Sequence, residues 1–139
     1  MESRKVLQRS FSSTEIKWED KFNALDLDKK LLLKAVRFVE ENMTNVDLTV
    51  EHLAENLILS RTHLHRKLKA LTNQSATEFI RYIRLKRAVK LLQEGNHKVN
   101  EVGYAVGFNS HNYFTKSFKK QYGKSPSEFI RENSDIANN

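Results

Sequence analysis

The sequence predicts an all-α protein of about seven helices, built as two similar helical units joined by one long helix. Three observations carry this. A stretch is used twice: S-A-T-E-F-I-R at 75–81 returns fifty positions later as S-P-S-E-F-I-R at 125–131. At the same offset Ser60, Leu64, Leu68 and Lys69 align with Ser110, Phe114, Phe118 and Lys119. With one residue of slippage, Leu53-Ala54 falls on Val102-Gly103 and Leu57-Ile58-Leu59 on Val106-Gly107-Phe108. Apolar residues recur at helical spacing, with no sustained period-two alternation to suggest a strand. Finally, Ser60, Ser75, Ser110 and Ser125 stand as capping residues at candidate helix starts. Two copies are too few for a solenoid, and units of this size are marginal alone, so a shared linker helix is expected.

In order along the chain, residues 1–26 show no sustained period and contain the polar run Ser10-Phe11-Ser12-Ser13-Thr14, which suggests an N-terminal arm or linker. Trp18 and Phe22 are candidates to pin it. The segment 27–47 holds a connector helix from about 28 to 43, because Leu32, Val36, Val39 and Met43 follow i, i+4, i+7, i+11. The first unit, 48–74, offers a short helix from Thr49, a tight turn, and a helix capped by Ser60 with Leu64, Leu68 and Leu71 inward. Ser75-Ala76-Thr77-Glu78 fits a capping box and opens the linker helix of 75–95, with Phe79, Ile83, Ala88, Leu91 and Leu92 inward and Gly95-Asn96 as its stop. The second unit, 96–133, repeats the pattern: a short helix near 99–106, a turn at Gly107, and a helix capped by Ser110 that ends at Gly123. Ser125-Pro126-Ser127-Glu128 caps a last helix, and 134–139 is expected to fray as a disordered tail.

Charge is unevenly placed. Residues 1–47 carry nine Lys/Arg and nine Asp/Glu; residues 48–139 carry fifteen against eight, so the duplicated part holds the whole net charge of +7. Such a basic region points to nucleic acid or another anionic partner. The absence of cysteine excludes disulfides and thiolate metal sites. No apolar run reaches membrane-span length and the N-terminus lacks a signal peptide's apolar centre, so a soluble, cytoplasmic protein without membrane contact is expected.

A short helix, a tight turn and a longer helix form a helix-turn-helix, whose second helix enters the DNA major groove. Small residues stand where the first helix must press on the second, Ala54 and Gly103. Gly107 suits a turn needing positive φ, whereas Ile58 in copy one departs from it, so that turn either strains or differs in shape. With the leucines inward, the outer stripe of the first recognition helix is Thr62, His65, Arg66 and Lys69; the offset gives Asn112, Thr115, Lys116 and Lys119 in the second. Arg66 suits guanine, Asn112 adenine and the Thr62 methyl thymine. Lys69 and Lys119 suit phosphates, together with Ser60, Ser110 and Thr115, while Arg61 and His111 at the helix starts suit either backbone or bases.

Residues 48–131 resemble the AraC/XylS family of transcription regulators. The likeness rests on L-A-E-N-L-I-L-S-R-T-H-L-H-R-K-L-K (53–69), I-R-L-K-R-A-V-K-L-L (83–92) and V-G-Y-A-V-G-F-N-S-H-N-Y-F-T-K-S-F-K-K-Q-Y-G-K-S-P (102–126). It implies two recognition helices in successive major grooves of double-stranded DNA, with base contacts at Thr62, His65, Arg66, Asn112 and Lys116, and His111 beside them. Gly103 and Ile58 depart from the family's usual alanine and glycine. The resemblance further implies a missing partner: 19–42 looks like the connector of response regulators and hybrid sensor proteins, so a sensor or receiver domain on a longer chain is expected, with this segment monomeric by itself.

The alternative is a protein-interaction module whose basic face meets an acidic partner such as RNA polymerase. An enzyme is not expected, since the sequence has no nucleophile–base pair and no glycine-rich phosphate loop. No cofactor or metal is expected either. His63 and His65 are two apart on one helix, and His52, His97 and His111 belong to other elements; His63, opposite Tyr113 in the repeat, reads as a flank packing residue.

Overall fold

The computed structural model describes residues 12–138, with side chains described between 20 and 134 except at Phe22; Trp18 and Phe22, expected to pin the arm, therefore lie outside the described side chains. Seven α-helices and no strand occur among the described residues: α1 (Ser12–Glu41), α2 (Val50–Leu57), α3 (Arg61–Thr72), α4 (Ala76–Glu94), α5 (Val99–Ala105), α6 (His111–Tyr122) and α7 (Pro126–Asn138). The chain divides into two compact units, Met1–Lys34 and Ala35–Asn139.

Two expectations are corrected at the ends. The first helix begins at Ser12, not near residue 28. The described side chains from Asp20 to Leu27 are all exposed, so this stretch has no packing face and its sequence no reason to show one. At the other end α7 remains helical through Asn138 where a frayed tail was expected. After Pro126 it meets neither glycine nor proline to stop it. Asn139 lies outside the described residues.

Within the second unit the duplication is visible bond by bond. Ser75 Oγ accepts from the Glu78 amide while Glu78 accepts from the Ser75 amide at 2.8 Å, and Ser125 and Glu128 repeat both bonds. The turns match as well: Leu59 N–H bonds Ala54 O at 2.9 Å, and Phe108 N–H bonds Gly103 O at 3.0 Å. Both longer helices end on a left-handed cap, Asn73 bonding Lys69 O and Gly123 bonding Lys119 O. The reciprocal caps satisfy amides that a helix start leaves orphaned.

The cores differ in kind. Copy one is aliphatic, with Leu53, Leu64 and Leu68 buried; copy two is aromatic, with Phe108, Phe114 and Phe118 buried and ring centroids 5.3–5.9 Å apart from Phe108 through to Phe118 and Phe129. Leu71 and Leu91 are half-buried. The pairing of small residues follows the core. Ala54 faces copy one, while a Cβ on Gly103 would stand 2.8 Å from Phe114 Cδ2, so the larger ring in copy two requires the smaller residue. Between the copies, α4 buries Phe79, Ile80, Ile83, Leu85, Ala88 and Leu92, and packs against α3, α5, α6 and α7. Ala35 and Val39, in the last turns of α1, and Met43 just after it complete this core.

Ile58 takes the strain. It sits at φ 58°, ψ 46°, a left-handed conformation that a β-branched residue rarely adopts, and its side chain is 89% exposed. Gly107 occupies the equivalent place at φ 99°, but there a Cβ would lie 2.2 Å from the Met43 carbonyl oxygen. Backbone approach forces glycine in copy two; in copy one nothing crowds the side chain, so isoleucine survives at a conformational cost.

Candidate nucleic-acid interface

Each recognition helix starts from a serine in extended conformation whose Oγ accepts an amide three residues on: His63 N–H at 3.0 Å for Ser60, Tyr113 N–H at 3.2 Å for Ser110. This cap fixes the helix start and leaves its remaining first-turn amides and its positive dipole end facing outward, a suitable seat for phosphate. Leu64 and Leu68, or Phe114 and Phe118, anchor the inner stripe. The outer stripe follows at helical spacing: Thr62, His65, Arg66 and Lys69 on α3, and His111, Asn112, Lys116 and Lys119 on α6, are all exposed. Neither α3 nor α6 contains an acidic residue.

Three expectations shift. Thr115 is half-buried, and its Oγ1 is buried without a hydrogen-bond partner among the described residues, so the hydroxyl is turned inward and away from any phosphate. Arg61 forms an ion pair with Glu51 of α2, so its guanidinium is engaged by a carboxylate. Both side chains are largely exposed, and such pairs contribute at most about 1 kcal/mol, so the pair is easily exchanged. His63, expected to pack on a flank, has an exposed side chain.

Beside α3 lies a hollow of about 400 Å³ lined by Arg61, Thr62, His65, Ser75 and Thr77, among others. It joins the start of the recognition helix to the start of α4. Thr77 was not singled out in the sequence, although the capping box placed it in the exposed first turn of α4; Ser127 holds the same place in copy two. The carboxyl of Glu78 is held below its usual range, chiefly by the Ser75 amide bond, with Lys69 and Arg81 adding; Glu128 is held down likewise by Ser125, then Lys119 and Arg131. Lys69 also donates to the Asn73 carbonyl at 3.4 Å. Among the described residues no cluster could hold a metal ion, and no helix is long and apolar enough to cross a membrane.

Two caps, two turns and two exposed basic stripes define a pair of helix-turn-helix units, and comparison with known proteins agrees. The model of a helix-turn-helix domain family matches residues 53–132, and the chain belongs to the AraC-type helix-turn-helix family of DNA-binding transcription regulators. A histidine kinase, P4, of Formosa agariphila is 38% identical over 129 residues, covering 93% of this chain but 9% of the kinase; the chain thus spans a small part of that relative's length. The C-terminal domain of AraT, a response regulator from Geobacillus stearothermophilus, superposes with a TM-score of 0.67 at 29% identity, covering 73% of this chain and 84% of that one. The DNA-binding domain of AdpA, a global transcriptional factor solved in complex with a target DNA, gives a TM-score of 0.66 at 27% identity, covering 73% and 90%.

Proposed function

We propose that this chain recognises a specific, asymmetric duplex site, with α3 and α6 in successive major grooves on one face of the DNA. The observation that carries the reading is the paired outer stripe: two helices with the same cap, both exposed at Thr62 and Asn112, at Arg66 and Lys116 and at Lys69 and Lys119, but with different side chains, T-H-L-H-R-K against N-Y-F-T-K-S. Different side chains require different half-sites, with centres about one helical turn, roughly 10 bp, apart. Thr62, His65 and Arg66 of α3 and His111, Asn112 and Lys116 of α6 face base edges; Arg66 forks onto guanine, and Asn112 pairs with adenine. Ser60, Ser110, Lys69 and Lys119 meet phosphates, joined by Arg61 once it leaves Glu51.

The chain then acts as the DNA-binding output of a longer two-component protein, whose sensor or receiver portion supplies the signal. The similarity to a histidine kinase and to a response regulator's C-terminal domain supports this. The test is selection of bound duplexes from a random pool by the purified chain, followed by titration of the enriched site with salt. A two-part asymmetric motif, with log K falling steeply against log salt, is expected. Weak salt dependence and no motif would move the argument to an acidic protein partner.

A further inference from the structure

Two recognition helices read a two-part site only if their separation and relative rotation are held. One face of α4 carries the groups that hold them. Arg81 donates from a guanidinium N–H to Tyr113 Oη of α6 at 3.1 Å, and the Tyr113 ring leans on Phe108 with centroids 5.4 Å apart. One turn further along α4, Arg84 donates to the Asn45 carbonyl at 2.8 Å. Its guanidinium lies so close to the copy-two turn that a Cβ on Gly107 would stand 2.8 Å from Arg84 Cζ. Arg84 is half-buried there, and burial holds its pKa below the usual arginine value. The two arginines thus hold the second unit at both its recognition helix and its turn. Through Asn45, Arg84 also holds the segment that leads into α2. A small hollow of about 180 Å³, lined by Leu48, Val50, Arg81, Arg84, Phe108 and Tyr113 among others, lies at this junction.

The repeat shows that this junction is not inherited from the unit itself. At the fifty-residue offset the partner of Tyr113 is His63, which has no hydroxyl to offer an arginine, and with the one-residue slippage in the turn the partner of Gly107 is Ile58, which touches so little that it is 89% exposed. Only the copy that meets the arginine face of α4 has the tyrosine and the glycine. We infer that Arg81, Arg84 and Tyr113 are positioning residues that set the distance and rotation between α3 and α6, and therefore the half-site spacing that the protein accepts. This rests on the two-groove reading above.

The test uses the full chain on duplexes carrying both half-sites at their best spacing and with one base pair inserted or removed, which displaces a half-site by about 3.4 Å and about 34°. Tyr113→Phe deletes one hydroxyl and leaves Arg81 its charge. If wild-type binding weakens about tenfold at the altered spacings, Tyr113→Phe should narrow that penalty to about threefold or less, keep base preference within each half-site, and be non-additive with Arg81→Met because both break one bond. A Tyr113→Phe spacing profile identical to wild type's overturns the inference and leaves the two-groove reading standing. Arg81→Met that weakens every spacing equally marks Arg81 as a phosphate contact and removes it from the role. A wild type that accepts all spacings alike overturns both readings.

Discussion

Replacing Ile58 with glycine should make the protein more stable. Ile58 holds φ 58° with its side chain 89% exposed, so the substitution surrenders almost no buried apolar surface. The left-handed conformation costs an L-residue about 1–2 kcal/mol. Glycine removes that cost but returns about 0.5–1 kcal/mol as added freedom in the unfolded chain. The net gain is about 0–1.5 kcal/mol, with a midpoint of about 0.75 kcal/mol that in a domain of this size raises Tm by about 2–6 °C. Urea unfolding followed by circular dichroism should show a higher midpoint at unchanged slope. The equivalent glycine is the control. Gly107→Ala puts a Cβ 2.2 Å from the Met43 carbonyl at φ 99°. Left-handed strain and overpacking together should cost about 2–4 kcal/mol there. A lower midpoint for Ile58→Gly would refute the reasoning, since it would mean that the isoleucine side chain contributes packing that its exposure denies.

Three further outcomes are expected. Gly103→Ala, whose Cβ would meet the Phe114 ring at 2.8 Å, should destabilise by about 1–3 kcal/mol, and adding Phe114→Leu should recover part of the loss because copy one already pairs Ala54 with Leu64; additive losses in chemical denaturation would contradict the size-matching argument. Arg66→Ala should cost about 1–3 kcal/mol of binding and relax preference at one base pair, whereas Lys69→Ala should weaken all sequences evenly and flatten the salt slope by about one; binding isotherms on single-substitution duplexes separate the two. Acid should loosen the starts of α4 and α7. Glu78 and Glu128 have folded-state pKa values below the usual 4.5, so their contribution is complete above that value and is lost as pH falls through the lowered ones. In Glu78→Gln/Glu128→Gln the acid limb of a stability–pH curve should therefore be shallower, and an unchanged limb would place the acid sensitivity elsewhere.

Much of the fold was legible because local chemistry and the global arrangement agree. Ser60, Ser75, Ser110 and Ser125 each announce a helix start with a side chain that the structure uses for that purpose. The recognition stripes were legible because their inner neighbours, Leu64, Leu68, Phe114 and Phe118, set the phase of each helix. What escaped the sequence depends on distance between elements. Nothing local at Arg84 says that it reaches Asn45, thirty-nine residues away, and nothing at Thr115 says that its hydroxyl is enclosed. The strain at Ile58 was visible only as an alternative, because deciding it required knowing that Gly107 meets backbone while Ile58 meets open space. The early start of α1 was hidden for the opposite reason: the described side chains between Asp20 and Leu27 are all exposed, so periodicity had nothing to report there.

The central claim, two unequal helices in successive major grooves, is tested most directly by methylation protection of guanine N7 on the selected duplex, since N7 lies in the major groove. Two protected patches are predicted on one face of the DNA, about one turn or roughly 10 bp apart, one lost in Arg66→Ala and the other in Lys116→Ala. A single patch, or two patches that weaken together under either substitution, would contradict the account.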